Sequence, residues 1–264
     1  MMKKLIAIGA FCAILLVNLS GCSTSGGTVD GEKGEVRVNE TGDPLAETNV
    51  RLGLGYMQKG NYDIALRKIR KALEIDSNNV NGHYAIALLY ERLDRPKLAE
   101  EHYRRTIELN PQYSEAQNAY GVFLCRHERY DEANPHFEKA LQNPLYRTPQ
   151  IVYVNGGICA SKNGKYELAE DYLRKGLQRN PKNVTALLEM AKVTFATKQY
   201  LRTRAYLQRY SAVAPHTAET LWLGIRLEKI LGDKDAVASY STLLRNKFPD
   251  SKETSLLSQM QHNG

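Results

Sequence analysis

Tryptophan is nearly absent from this chain, with 1 in 264 residues, and phenylalanine is sparse at 5. Tyrosine is not: there are 16. A fold that repeatedly places an aromatic with a polar tip at a helix contact would use residues in this way. Runs of five or six basic residues are also missing, so the formal charge of +7 is spread rather than gathered into a tail for nucleic acid. Catalytic signatures are lacking as well. No His-Glu-x-x-His, Cys-x-x-Cys or partnered Ser-x-x-Lys occurs, and the six histidines show no metal-ligand spacing. His83 and His102 read as isolated residues on polar helix faces. Gly156-Gly157 falls on a helix-contact register, so close packing explains it better than a phosphate loop. These absences argue against an enzyme, a cofactor, a bound metal, a small-molecule substrate or a nucleic-acid partner.

Long apolar stretches are confined to the N-terminus. Lys3 and Lys4 precede Leu5 to Leu19, which is short for a membrane-spanning helix and typical of a secretory signal. The segment ends Leu19-Ser20-Gly21-Cys22, which resembles the bacterial lipoprotein box. That resemblance implies acylation of Cys22 and removal of residues 1–21. Loss of Lys3 and Lys4 then lowers the charge from +7 to +5. Ser23 follows the cysteine, and by the sorting rule of enterobacterial lipoproteins this implies the outer membrane, periplasmic face. Residues 22–42 are rich in Ser, Thr and Gly and are expected to be a tether with a reach of roughly 25 Å.

Beyond the tether the sequence repeats. Ala65, Ala99 and Ala133 are spaced by 34, Ala169 follows at 36, Thr203 at 34 and Ala236 at 33. Twelve residues before each lies a small residue: Gly53, Ala87, Gly121, Gly157, Ala191 and Gly224. Four after lies a bulky one: Ile69, Tyr103, Phe137, Leu173, Leu207 and Tyr240. Pro111, Pro181, Pro215 and Pro249 close units, because proline cannot continue a helix. The small residue and the alanine let two helices approach within a unit, and the bulky residues are expected to fill the space between units. This pattern resembles the tetratricopeptide repeat (TPR), a helix–turn–helix unit. It implies an all-α fold: a right-handed superhelical solenoid of about six repeats, near 46–79, 80–113, 114–148, 150–183, 184–216 and 217–250. Asp43-Pro44 is a good helix start. Residues 251–264 carry Leu256, Leu257 and Met260 at helical spacing and are expected to be a capping helix or tail. Two extra residues near Asn143–Pro149 should bend the array between units three and four.

In this repeat family the first helix of each unit lines a groove. Mapped by register, the groove should hold Val50, Leu54 and Met57, then Tyr84, Leu88 and Arg92, then Asn118, Val122 and Arg126. For each residue the competing assignment is core between helices. Lys192, Phe195 and Lys229 give later units a more mixed surface. Cys125 and Cys159 occupy equivalent places near the ends of adjacent first helices. In an oxidising periplasm they form either a disulfide or two buried thiols.

Three segments go beyond generic repeat consensus: residues 52–61 (Leu52 to Asn61), 118–124 (Asn118 to Leu124) and 223–229 (Leu223 to Lys229). With the lipobox, they resemble the type IV pilus biogenesis lipoproteins, the pilotins of pilus secretins. The resemblance implies a partner, the secretin subunit, and a role in its outer-membrane localisation and oligomerisation. The alternative is another lipid-anchored TPR adaptor, organising peptidoglycan hydrolases or an outer-membrane assembly complex.

Overall fold

The computed structural model describes residues 42–262. The expected signal segment, Cys22 and nearly all of the expected tether lie outside the described residues. Among the described residues every regular element is a helix, thirteen in all. Twelve form six consecutive pairs: α1 (Pro44–Gln58) with α2 (Tyr62–Ile75), α3 (Val80–Arg92) with α4 (Pro96–Leu109), α5 (Ser114–Arg126) with α6 (Tyr130–Gln142), α7 (Pro149–Lys162) with α8 (Tyr166–Arg179), α9 (Val184–Ala196) with α10 (Tyr200–Ser211), and α11 (Ala218–Leu231) with α12 (Lys234–Lys247). The last helix is α13 (Lys252–His262). Each pair packs mainly on itself and then on its sequence neighbours, as a TPR solenoid requires.

Local chemistry sets the boundaries. Asp43 Oδ1 accepts from the Leu45 and Ala46 amides at 2.8 and 3.1 Å and starts α1. Asn79 and Asn183 cap α3 and α9 in the same way, accepting from the Gly82 and Ala186 amides at 2.7 and 2.8 Å. Thr217 and Thr220 form a reciprocal capping box at α11. Prolines open α4 and α7, where the missing N–H would have had no helical partner.

Every turn inside a pair carries one residue with left-handed backbone. In three turns it is glycine: Gly60 (φ 77°), Gly164 (φ 71°) and Gly232 (φ 79°). In the other three it is Asp94 (φ 53°), Glu128 (φ 61°) or Lys198 (φ 60°). The same turn geometry therefore recurs whether or not the sequence supplies the residue best suited to it.

Pairs are held together by an interlock. A Cβ on Gly53 would lie 2.4 Å from Ile69 Cγ1, and one on Gly157 would lie 2.6 Å from Leu173 Cγ. The same holds for Gly121 against Phe137 at 2.8 Å and Gly224 against Tyr240 at 3.0 Å. The bulky residue thus fills the notch above the small residue of its own unit, which corrects its assignment to the space between units alone. It also reaches the next unit: the Tyr103 ring stacks on Tyr120, with centroids 5.6 Å apart and planes at 22°. Ion pairs tie neighbouring units on the outside. Arg129 Nη1 meets Glu100 Oε2 at 2.8 Å, Lys165 Nζ meets Asp131 Oδ1 at 2.7 Å, and Arg202 Nη2 meets Glu170 Oε1 at 2.7 Å.

The linker 143–148 carries the two extra residues and leaves Leu145 84% exposed. At the far end, Leu257 of α13 is fully buried against Leu221, Ile225 and Leu244. Met260 packs on the same cluster.

Candidate functional site

First helices of this array have two burial duties. One side meets the second helix of the same unit, and another meets the neighbouring unit. What remains is the surface available to a ligand. The nine residues assigned to a groove divide accordingly. Val50 is 0% exposed, Leu54 7% and Tyr84 6%, so these three are core and offer no free surface. Met57, Leu88, Asn118 and Val122 are half-buried, while Arg92 and Arg126 are exposed.

Around Tyr84 the structure builds an aromatic cluster. Its ring meets Tyr113 edge-on at 5.3 Å and Tyr103 at 6.4 Å. Burial holds the Tyr84 and Tyr103 hydroxyls well above the usual tyrosine range, so both are neutral donors at physiological pH. The Tyr103 hydroxyl donates to Glu91 Oε1, and the other oxygen of that carboxylate accepts from Arg126 Nη1 at 2.8 Å. Arg126 is thereby fixed across the joint between α3 and α5. Asn118 is likewise held: its Oδ1 accepts from Asn155 Nδ2 of α7 at 3.1 Å. Tyr146, from the inserted linker, interacts electrostatically with Tyr84 and is half-buried. Sequence reasoning missed Glu91 and Tyr146. The signal for Glu91 was its spacing of 35 from Arg126, one repeat plus one residue. Tyr146 left no periodic signal, because insertions have none.

The surface thus offers half-buried aliphatic side chains, Leu88 and Val122, beside anchored polar ones. Exposed aliphatic residues also occur on α1, where Leu45 is 60% and Leu52 44% exposed. Apolar positions with fixed hydrogen-bonding groups beside them are what a peptide-holding surface needs. Farther along, Lys192 lies between Glu189 and Glu219, and Arg226 sits over the Phe195 ring at 4.6 Å. That end is closed by its own charge pairs.

Cys125 of α5 and Cys159 of α7 are both buried, with Cα atoms 5.7 Å apart and sulfurs paired as a disulfide. Among the described residues no group of three or more His, Cys, Asp or Glu side chains is arranged to hold a metal ion. No helix among them is long and apolar enough to cross a membrane. His83 and His102, however, are not isolated as the sequence suggested: their Nδ1 atoms lie 2.8 Å apart.

Comparison with known proteins places this geometry. Family models for the TPR repeat match residues 53–94, and models for the tetratricopeptide repeat match residues 84–148 and 152–183. The type IV pilus assembly protein PilF of Pseudomonas aeruginosa is 34% identical over 244 residues, covering 92% of this chain and 95% of PilF. A solved structure of Pseudomonas aeruginosa PilF superposes with a TM-score of 0.74 at 33% identity, covering 82% of this chain and 97% of that one. The crystal structure of PilW, a widely conserved type IV pilus biogenesis factor, gives 0.76 at 32% identity, with coverage of 82% and 99%. A repeat array and relatives of matching length converge, and this chain belongs to the tetratricopeptide-repeat family of type IV pilus assembly proteins.

Proposed function

We propose that the protein is a lipid-anchored adaptor of the type IV pilus machinery that binds secretin subunits and promotes their localisation and oligomerisation at the outer membrane. The observation that carries this reading is relatedness to a type IV pilus assembly protein over 92% of the chain. The lipobox-like Leu19-Ser20-Gly21-Cys22 supports the anchor. The Leu88 and Val122 surface, framed by Arg126 and Asn118, supports the grip.

The parts combine simply. Several acyl chains on Cys22 hold far more firmly than one, at about 0.8 kcal/mol per buried methylene. The tether supplies reach. A subunit held by the repeats is then confined near the membrane, and its effective concentration rises without any new contact between subunits. Oligomerisation is favoured by that confinement.

The test is Cys22→Ala in cells carrying the full pilus machinery. Fractionation should show the variant and its secretin away from the outer membrane, with few assembled secretin rings. Co-purification should still recover the secretin with the variant. Normal rings in the outer membrane would refute the transport role, and loss of co-purification from a folded variant would refute binding through the repeats.

A further inference from the structure

Near the joint between units three and four lies a carboxylate that the array leaves unmatched. Glu47, Asn81 and Glu115 occupy one register place in the first turns of α1, α3 and α5, 34 residues apart. In units one and two the following unit supplies donors to that place. Glu47 Oε1 accepts from Asn79 Nδ2 and Asn81 Nδ2 at 2.9 and 3.0 Å, and Asn81 Oδ1 accepts from the Tyr113 hydroxyl at 3.3 Å. After unit three the corresponding stretch is the linker 143–148, lengthened by two residues, and it returns no such donor. Among the described residues the half-buried Glu115 side chain makes no ion pair and no hydrogen bond.

Glu115 shares a face of α5 with Asn118, Val122 and Arg126, at successive spacings of three, four and four. The other two polar members of that stripe are already engaged. Asn118 Oδ1 accepts from Asn155 Nδ2 at 3.1 Å, and Arg126 Nη1 meets Glu91 Oε2 at 2.8 Å. Tyr84, Tyr113 and Tyr146 all lie within reach of the Glu115 charge, which acts on each hydroxyl. At Tyr113 and Tyr146 no cation among the described residues opposes it. Leu145, next to Tyr146 in the chain, is 84% exposed and adds apolar surface. An unopposed carboxylate among aromatic rings suits a cationic side chain, which gains from the ion pair and from the ring faces.

We propose that Glu115 is a specificity-determining subsite that receives a lysine or arginine side chain of the protein segment held on Leu88 and Val122. The inference rests on the proposed peptide-holding surface and names what that surface selects. A carboxylate here repels anionic headgroups and nucleic acid. Its position in the first turn of α5 also suits the positive end of the helix dipole, but that needs neither the stripe nor the tyrosines. Glu115 and Val122 are seven residues apart in α5, a span of about 10 Å. The client segment therefore carries its cation about two helical turns, or about three residues of extended chain, from its apolar anchor.

A random peptide library displayed on phage is selected on the full chain purified in detergent. Peptides held by the wild type should be enriched in Lys or Arg at a fixed offset from an apolar residue. Glu115→Gln should keep the apolar preference, lose the cationic one and weaken a selected peptide by about fivefold, a difference that shrinks as salt rises. Glu115→Lys should turn the preference towards Asp or Glu. Circular dichroism checks that both variants are folded. Absence of Lys or Arg enrichment, or enrichment that folded Glu115→Gln retains, overturns the assignment. Capture of secretin by the same proteins separates this inference from the functional reading. Cationic selection that depends on Glu115, in a wild type that captures no secretin, would refute the secretin as partner and leave the subsite standing.

Discussion

Gly53 and Ile69 are a matched pair: a Cβ on the glycine would lie 2.4 Å from Ile69 Cγ1, and Ile69 is fully buried with no room to withdraw. Two residues along the same helix, a Cβ on Gly55 would meet nothing within 4 Å. The two glycines should therefore respond to alanine with opposite signs. Gly55→Ala gains helix propensity, about 1 kcal/mol. Gly53→Ala gains the same and loses more to overpacking, for a net loss of about 1–2 kcal/mol. Urea unfolding of both variants checks the contrast, and equal responses would show that the notch is not a packing constraint.

The six intra-unit turns give a second test. Glu128 and Lys198 hold left-handed backbone without being glycine, and both are exposed. Glu128→Gly and Lys198→Gly should each raise stability by about 0.5–1 kcal/mol, since relief of strain exceeds the entropy that glycine adds to the unfolded chain. Asp94→Gly should gain less, because aspartate tolerates this conformation better. Gly60→Ala should lose about 1 kcal/mol. Thermal unfolding is the readout.

Reduction should be felt at the joint between α5 and α7. Cys125 and Cys159 are 34 residues apart, and closing a loop of that length is worth about 3–4 kcal/mol through the unfolded state. Dithiothreitol should lower the urea midpoint of the wild type but not of the Cys125→Ala, Cys159→Ala double variant. Thiol counting on the denatured, unreduced repeat array should find neither cysteine free.

Acid should expose His136. Burial, reinforced by the Lys139 charge and opposed by Glu132, holds its pKa down to about 4, from 6.5 in the unfolded chain. A histidine with a lowered folded pKa contributes full stability above the unfolded value and loses it as pH falls from 6.5 towards 4. The ring is partly open to solvent, so the loss is discounted to on the order of 1 kcal/mol. Because the paired carboxylates Glu100, Glu132 and Glu170 have lowered pKa values of their own, the measurement is a difference. His136→Gln should have a flatter stability profile than the wild type across that window.

Leu88 and Val122 test the proposed binding surface. Both are half-buried, so Leu88→Glu and Val122→Glu should leave helicity intact while lowering capture of secretin from detergent extracts. A charge at Leu54 or Val50 would be uninformative, because both are core and the variant would unfold. Undiminished capture by both folded surface variants would move the grip elsewhere, with Leu45 and Leu52 on α1 next in line.

Residues whose partner sits at a fixed offset were legible in the sequence. Gly53 and Ile69 are 16 apart, and the same offset recurs at Gly121 and Phe137, Gly157 and Leu173, and Gly224 and Tyr240, so repetition marked both residues, although the sequence reading sent the bulky one to the space between units. Groove and core were harder to separate. Val50 and Leu88 are both aliphatic on first helices, yet one is fully buried and the other is not. A solenoid helix is covered on two sides, and residue type alone does not say which side faces the gap. The pairing of His83 with His102 escaped notice because their offset of 19 occurs with histidine at both ends only once among the described repeats. Tyr146 lay in an insertion, where periodicity has nothing to say.

Leu257 covers Leu221, Ile225 and Leu244 at the end of the array. A chain cut before Lys252 would leave three fully buried aliphatic side chains uncovered on a flat helical face. Two such stumps would dock end to end through that apolar surface. The final helix therefore guards solitude as much as stability.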